Sequence, residues 1–81
     1  MRAYVLIESA VGKANAVGEG VKKLNLSDAT VVAVDAVTGP YDVIALLDSD
    51  DLDKMGRAIT DGIQRVEGVQ RTTTCLVVRL G

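Results

Sequence analysis

The sequence predicts one small α+β domain that covers residues 1–81 and has the element order β-α-β-β-α-β. Runs rich in Val, Ile and Leu alternate with two segments whose apolar residues recur at helical spacing. Gly39 and Pro40 separate the two middle runs, and Pro40 has no backbone N–H to continue a strand. This pair therefore marks a tight turn between two strands.

The first strand is predicted over residues 2–8, which alternate between two faces as residues of a strand do. Ser9 follows, and a serine at this place predicts the cap of a helix that runs to about Leu24. The apolar residues of this helix form one stripe. The stripe consists of Ala14, Val17, Val21 and Leu24.

The second and third strands are predicted over residues 29–37 and 43–47, and they form a β-hairpin around the turn 37–42. A second helix follows, with Asp50 as its cap and Asp53 in its first turn, where the helix dipole favours acidic residues. The inward stripe of this helix is predicted as Leu52, Met55, Ile59, Ile63 and Val66.

Gly68 is predicted to end the second helical unit, and residues 69–80 form a long final strand. The complete order is that of a ferredoxin-like sandwich, in which two helices lie on one face of a four-stranded sheet. The other face of such a sheet normally meets water, so its strands should alternate between apolar and polar residues.

The two middle strands are apolar on both faces. On the second strand, one face is predicted to carry Val31, Ala33 and Val37, and the other face Val32, Val34 and Ala36. On the third strand, one face is predicted to carry Val43, Ala45 and Leu47, and the other face Ile44 and Leu46. Two helices cover only one face, and monomers rarely expose an apolar patch of this size. We therefore expect a homodimer that packs sheet against sheet as a dimeric α/β barrel.

Composition excludes several classes of function. The formal charge is −2 with no basic run and only two aromatic residues, both tyrosines, so direct binding of nucleic acid is not expected. Cys75 is the only cysteine and the chain has no histidine, which leaves no intrachain disulfide and no common zinc site. Cys75 itself is interpreted as a buried, inert thiol of the last strand. No metal and no cofactor is predicted.

The first apolar run gives no sign of export. Glu8 interrupts it after a few residues, so it is too short for a signal peptide or a transmembrane span. Together with the lack of a disulfide framework, this predicts a reducing, cytoplasmic location.

Catalytic patterns are sparse. The chain has no histidine to act as a general base near neutral pH. The acidic segment 48–53 has Asp53 where a calcium loop needs glycine and Ile59 where it needs glutamate, so a helix start is the better interpretation. The glycines at 12, 18 and 20 fit neither a dinucleotide nor a phosphate-binding fingerprint.

Two features remain as candidate binding residues. The first is the turn with Gly39, Tyr41 and Asp42, whose backbone N–H groups and carboxylate suit the carboxylate and ammonium of a small ligand, with Tyr41 as a wall. The second is Thr72 and Thr74, whose hydroxyls lie on one face of the last strand. The alternatives stay open: Gly39 and Asp42 also suit a turn, and threonines are good strand formers.

Three segments together resemble a known family. They are Thr38-Gly39-Pro40-Tyr41-Asp42, Asp51-Leu52-Asp53 and Gly68-Val69-Gln70-Arg71-Thr72-Thr73-Thr74. In order and spacing they are similar to the effector-binding (RAM) domain of the Lrp/AsnC, or feast/famine, transcription regulators, and the resemblance spans the whole chain. It implies a ferredoxin-like sandwich that dimerises sheet to sheet, often assembles into octamers, and binds a small amino acid between dimers.

The resemblance also implies roles for single residues. Gly39, Tyr41 and Asp42 match the family's ligand contacts, and Thr72 and Thr74 would come from a neighbouring subunit. Family members carry an N-terminal helix-turn-helix domain, whereas Met1 here lies directly before the first strand. The resemblance therefore implies a stand-alone amino-acid-sensing module, which either acts through association with full-length relatives or only binds metabolites.

Three other functions fit the same element order. An ACT-like regulatory domain also binds amino acids, but it more often forms side-by-side sheets and does not need a second apolar face. A dimeric α/β-barrel enzyme, such as a small oxygenase or isomerase, would place histidine or other polar residues where Val, Ala and Leu stand here. A purely structural interaction module would bind no ligand.

Overall fold

The computed structural model describes residues 1–80 and has the predicted element order. The elements are β1 (Arg2–Ser9), α1 (Ala14–Lys22), β2 (Thr30–Ala36), β3 (Val43–Asp48), α2 (Leu52–Asp61), a 3₁₀ turn (Ile63–Arg65) and β4 (Val69–Leu76). The four strands form one sheet in the order β2-β3-β1-β4, and every neighbouring pair is antiparallel. The ferredoxin-like α+β fold is confirmed.

The hydrophobic core lies between one face of the sheet and the two helices. Ile7 of β1 pairs with Val43 of β3, and both side chains are completely buried. The other members of the core are Ala3, Val5, Val17, Val21, Ala45, Leu47, Met55, Ala58, Ile59 and Ile63. Alternate residues of β1 and β3 thus face the helices, as their period of two predicts.

The first helix begins four residues later than the sequence suggests, because its cap position is residue 13 and not residue 9. Ser9 is the last residue of β1, so the prediction that it caps the helix is wrong. Lys13 occupies the cap position and forms no side-chain cap. Gly68 lies against this end of α1 with φ +97°, and a Cβ there would come within 2.9 Å of Val17. A glycine is therefore required where β4 begins.

The second helix is capped by Asp51, whose carboxylate accepts from the Lys54 N–H at 2.8 Å. The prediction that Asp50 caps the helix is wrong by one residue. The Asp50 carboxylate instead accepts a hydrogen bond from Lys54 Nζ at 3.1 Å. This hydrogen bond raises the pKa of Lys54. Leu52 is 56% exposed and does not belong to the inward stripe, because the stripe starts one turn later at Met55.

A bulge in β2 changes the predicted faces of that strand. Val31 pairs with Leu47 and Ala33 with Leu46, so Val32 is the extra residue. Val31 and Ala33 therefore lie on opposite faces, and the prediction that they share one is wrong. The run from Val31 to Val34 is apolar throughout and gives no local signal of the bulge.

The second face of the sheet carries no helix, and we call it the open face. Its central residues are Tyr4, Leu6, Ala33, Ile44, Leu46, Thr73 and Cys75, and the same face also carries the charged residues Arg2, Glu8, Asp35, Asp48 and Arg71 towards its margins. Tyr4 is 45% exposed, and Cys75 beside it is also exposed, so the prediction of a buried thiol is wrong for the single chain. Ile44 and Leu46 lie together on this face, as the alternation of residues along β3 predicts.

The last strand ends at Leu76, four residues before the predicted end. Val77 still donates its N–H to the Arg2 carbonyl at 2.9 Å, and the side chains of the following segment are exposed. Within residues 1–80, no helix is long and apolar enough to cross a membrane.

Candidate functional site

The β2–β3 turn, residues 37–42, is closed on itself and attached to the central strand. Val37 donates its N–H to the Asp42 carbonyl at 2.9 Å, and Asp42 donates its N–H to the Ile7 carbonyl at 2.9 Å. Gly39 has φ +124°, a backbone conformation that other residues adopt only with strain. The sequence prediction of a tight turn at Gly39 is confirmed.

The Asp42 carboxylate is held by the end of β1. Its Oδ2 accepts from the Ser9 N–H at 2.8 Å and from the Ser9 hydroxyl at 3.0 Å. Both bonds are partly buried, and both donors reach the same oxygen. This arrangement leaves Oδ1 for a further donor, such as an ammonium group.

Ser9 is fixed from several sides. The pairing register of β1 and β4 shifts between Glu8 and Ser9, and Ser9 pairs with Val69. The next residue, Ala10, donates its N–H to the Gly68 carbonyl at 2.8 Å. The turn, the end of β1 and the start of β4 therefore meet at one corner of the sheet.

Sequence reasoning assigned Ser9 to a helix cap and missed its contact with Asp42. The two residues are 33 positions apart, and no local pattern connects them. The available signal was the strand order, because the antiparallel pairing of β1 with β3 brings the end of β1 to the start of β3.

The other residues of the turn lie at the surface. Tyr41 and Asp42 are half-buried, whereas Gly39 and Pro40 are exposed. A ligand can therefore reach the turn from solvent. It would meet an aromatic ring, a carboxylate and unpaired backbone N–H groups, which together suit a small zwitterion.

Thr72 and Thr74 lie apart from the turn within one chain. They pair with Ile7 and Val5 and so face the helices from the edge strand β4. The Thr72 hydroxyl accepts from Gln64 Nε2 at 2.9 Å. Since β1 separates β4 from β3, the start of β3 lies about 10 Å away, two strand spacings.

Thr74 lines a groove of about 390 Å³ between α2 and β4. The other lining residues are Leu52, Met55, Gly56, Ile59, Thr60 and Leu76. Neither this groove nor the cavity beside Thr72 includes Gly39, Tyr41 or Asp42. One protomer therefore does not bring the two candidate features together.

Comparison with known families gives one match over nearly the whole chain. The model of the Lrp/AsnC ligand binding domain matches residues 2–80. A comparison with curated protein sequences returned no match.

Several solved structures are similar to this chain. TTHA0845 from Thermus thermophilus is 38% identical with a TM-score of 0.84, over 99% of this chain and 95% of that one. FFRP-DM1 is 27% identical with a TM-score of 0.82, and the match covers 95% of this chain and 97% of that one. The L-Met complex of the transcriptional regulator NMB0573 from Neisseria meningitidis is 18% identical with a TM-score of 0.77. This chain covers 49% of the regulator, and 96% of this chain is matched.

Gly39→Ala tests whether the turn depends on its backbone conformation. A Cβ at position 39 meets no atom within 4 Å, so its effect comes from φ alone. We expect the free energy of unfolding to fall by about 1–2 kcal/mol, measured by urea denaturation.

Gly56→Ala is the matched control for this substitution. Its Cβ also meets no atom within 4 Å, but residue 56 lies inside α2 with a helical backbone. Alanine there should raise the free energy of unfolding by about 0.5–1 kcal/mol. Equal effects of the two substitutions would show that φ at Gly39 does not constrain the turn.

Proposed function

The chain belongs to the Lrp/AsnC ligand-binding domain family, and from this premise we propose that it is an amino-acid-binding regulatory module that works as a homo-oligomer. The observation that carries the proposal is the half-buried Asp42 carboxylate, which is held by Ser9 through one oxygen beside a surface turn. A fixed carboxylate with a remaining acceptor suits the ammonium of an amino acid.

The backbone of the turn would bind the carboxylate of the same ligand. Val37 and Asp42 already donate their N–H groups, to the carbonyls of Asp42 and Ile7 respectively, and Pro40 has no N–H. The N–H groups of Thr38, Gly39 and Tyr41 are then the donors for a ligand carboxylate. The N. meningitidis regulator is described with L-Met, and the proposal extends amino-acid binding of this kind to the present chain.

We assign Thr72 and Thr74 to the site of a neighbouring subunit. Their separation from the turn within one chain supports this assignment, since one ligand of amino-acid size does not extend from Asp42 past β1 to β4. A complete site would then require at least two copies.

The open face supports dimerisation of the chain. Leu6, Ile44 and Leu46 form its apolar centre, with the exposed ring of Tyr4 beside them. A second copy of the same sheet would cover this face and complete a dimeric α/β barrel. The edge strands β2 and β4 would remain accessible in such a dimer, and we propose that further copies associate there in higher assemblies, including an octamer.

A regulatory role fits the chemistry of the chain better than catalysis. Among residues 1–80, no group of three or more His, Cys, Asp or Glu is arranged to hold a metal. Asp42 is engaged by Ser9 rather than by a second titratable group. We propose that the module acts in the cytoplasm, binds no nucleic acid directly, and influences transcription by associating with full-length regulators of its family.

Thermal unfolding in the presence of each of the twenty protein amino acids tests this function. A ligand that binds only the native state raises the Tm by mass action. We expect a selective rise with one or a few amino acids. A Tm that none of the twenty changes would contradict amino-acid sensing.

Asp42→Asn tests the ammonium contact while preserving the turn. The amide oxygen can still accept from Ser9, but the negative charge is lost. We expect a small fall in Tm, because the two hydrogen bonds from Ser9 become neutral ones, and an affinity for the amino acid about 10–100-fold weaker by calorimetric titration. Full affinity in Asp42→Asn would remove the carboxylate from the site. Asp42→Ala should bind weakly too, and it should also lose stability because Ser9 loses its acceptor.

Leu46→Lys tests the role of the open face. Leu46 lies between Tyr4 and Ala33 at the centre of that face, and a lysine there would bury an unpaired charge in a dimer. We expect the mass measured by light scattering to fall to that of a monomer, or the protein to unfold. Leu52→Lys is the control, because Leu52 is exposed on α2 away from this face. A native dimer in Leu46→Lys would contradict the proposed interface.

A further inference from the structure

We propose that Ser9 is a positioning residue of the ligand site, which orients the Asp42 carboxylate for the ammonium of the bound amino acid. This inference rests on the proposed function. It assigns to the end of β1 a role in ligand binding that the turn alone does not provide.

The geometry of the contact is that of a two-point clamp. The Ser9 N–H and hydroxyl approach the same carboxylate oxygen at 2.8 and 3.0 Å. Two donors hold Oδ2 in place more firmly than one donor would, and with the Asp42 backbone fixed this restricts rotation of the carboxylate about the Cβ–Cγ bond. The direction of Oδ1 is thereby fixed as well.

Both sides of the clamp are anchored to the sheet. Asp42 donates its backbone N–H to Ile7, two residues before Ser9 on the same strand. Ser9 pairs with Val69, and Ala10 donates to the Gly68 carbonyl at 2.8 Å. The carboxylate therefore has little rotamer freedom left to lose when a ligand binds, which favours affinity.

Of the two hydrogen bonds to Asp42, only the one from the serine hydroxyl depends on the side chain at position 9. The backbone N–H donates to Asp42 whatever the side chain at position 9, whereas the second bond needs a hydroxyl. Ser9→Ala therefore removes one donor and keeps the other, so the fold should persist. Ser9→Thr keeps the hydroxyl and adds a methyl group at the end of a strand, where threonine is favoured.

Affinity measurements on wild type, Ser9→Ala and Ser9→Thr test the inference. The probes are the twenty protein L-amino acids and, for each one that binds, the des-amino carboxylic acid in which a hydrogen replaces the ammonium. Calorimetric titration gives the Kd. We expect Ser9→Ala to weaken amino-acid binding by about tenfold and Ser9→Thr to restore it to within about twofold.

The des-amino acids separate positioning from a general effect on the turn. They keep the carboxylate but have no donor for Asp42, so their affinity should change little in Ser9→Ala. The ratio of amino-acid to des-amino-acid affinity should therefore fall in Ser9→Ala and recover in Ser9→Thr. An equal loss for both kinds of ligand would mean a structural role only, and would overturn the inference.

The remaining outcomes are also distinct. If wild type and Ser9→Ala bind an amino acid equally well, the positioning role is refuted while the proposed function stands. If Ser9→Thr binds as weakly as Ser9→Ala, the hydroxyl is not the cause and the inference is refuted. If no amino acid binds wild type, the proposed function fails and the inference fails with it.

Discussion

The main physical constraint on this protein is that one face of its sheet is apolar at the centre and has no helix packed against it. Both helices pack on the face that carries Ile7, Val43 and Leu47, which are completely buried. The opposite face presents Leu6, Ile44 and Leu46 with no helix against them. An apolar surface of this kind favours a second sheet as its partner, and this is the physical basis of the homodimer that we propose.

The corner formed by Ser9, Asp42 and Gly68 is the part of this framework on which the proposed ligand site depends. β1 pairs with both β3 and β4, so its end is the place where a turn from one side and a strand start from the other can meet. The Asp42 carboxylate contributes to the fold through Oδ2, and our proposal assigns Oδ1 to the ligand. In this proposal one side chain has a structural role and a binding role, so substitutions that separate the two roles are more informative than simple deletion.

Much of the fold could be predicted from the sequence because its signals are local. The alternation in β3, the helical stripes and the Gly39 turn each depend on neighbouring residues, and their order limits the topology to few arrangements. The bulge at Val32 could not be predicted, since it is decided by pairing with β3. The contact between Ser9 and Asp42 was missed for the same reason. Serine caps helices often, and only the tertiary register gives it another partner here.

The candidate site was predicted less completely than the fold. The turn residues Gly39, Tyr41 and Asp42 are adjacent in sequence and remain adjacent in the structure. Thr72 and Thr74 were predicted to share a face, and they do, but that face points to the helices on the far side of β1. Whether they meet the turn depends on how copies assemble, and one sequence does not encode that arrangement in any local pattern.

The dependence of the Tm on protein concentration tests whether a second copy must cover the open face. If it must, unfolding is coupled to dissociation, and the Tm must rise with concentration. We expect a steady rise across a hundredfold range of protein concentration. A Tm that does not change over this range would mean that the single chain is stable with its open face exposed, and would refute the proposed dimer.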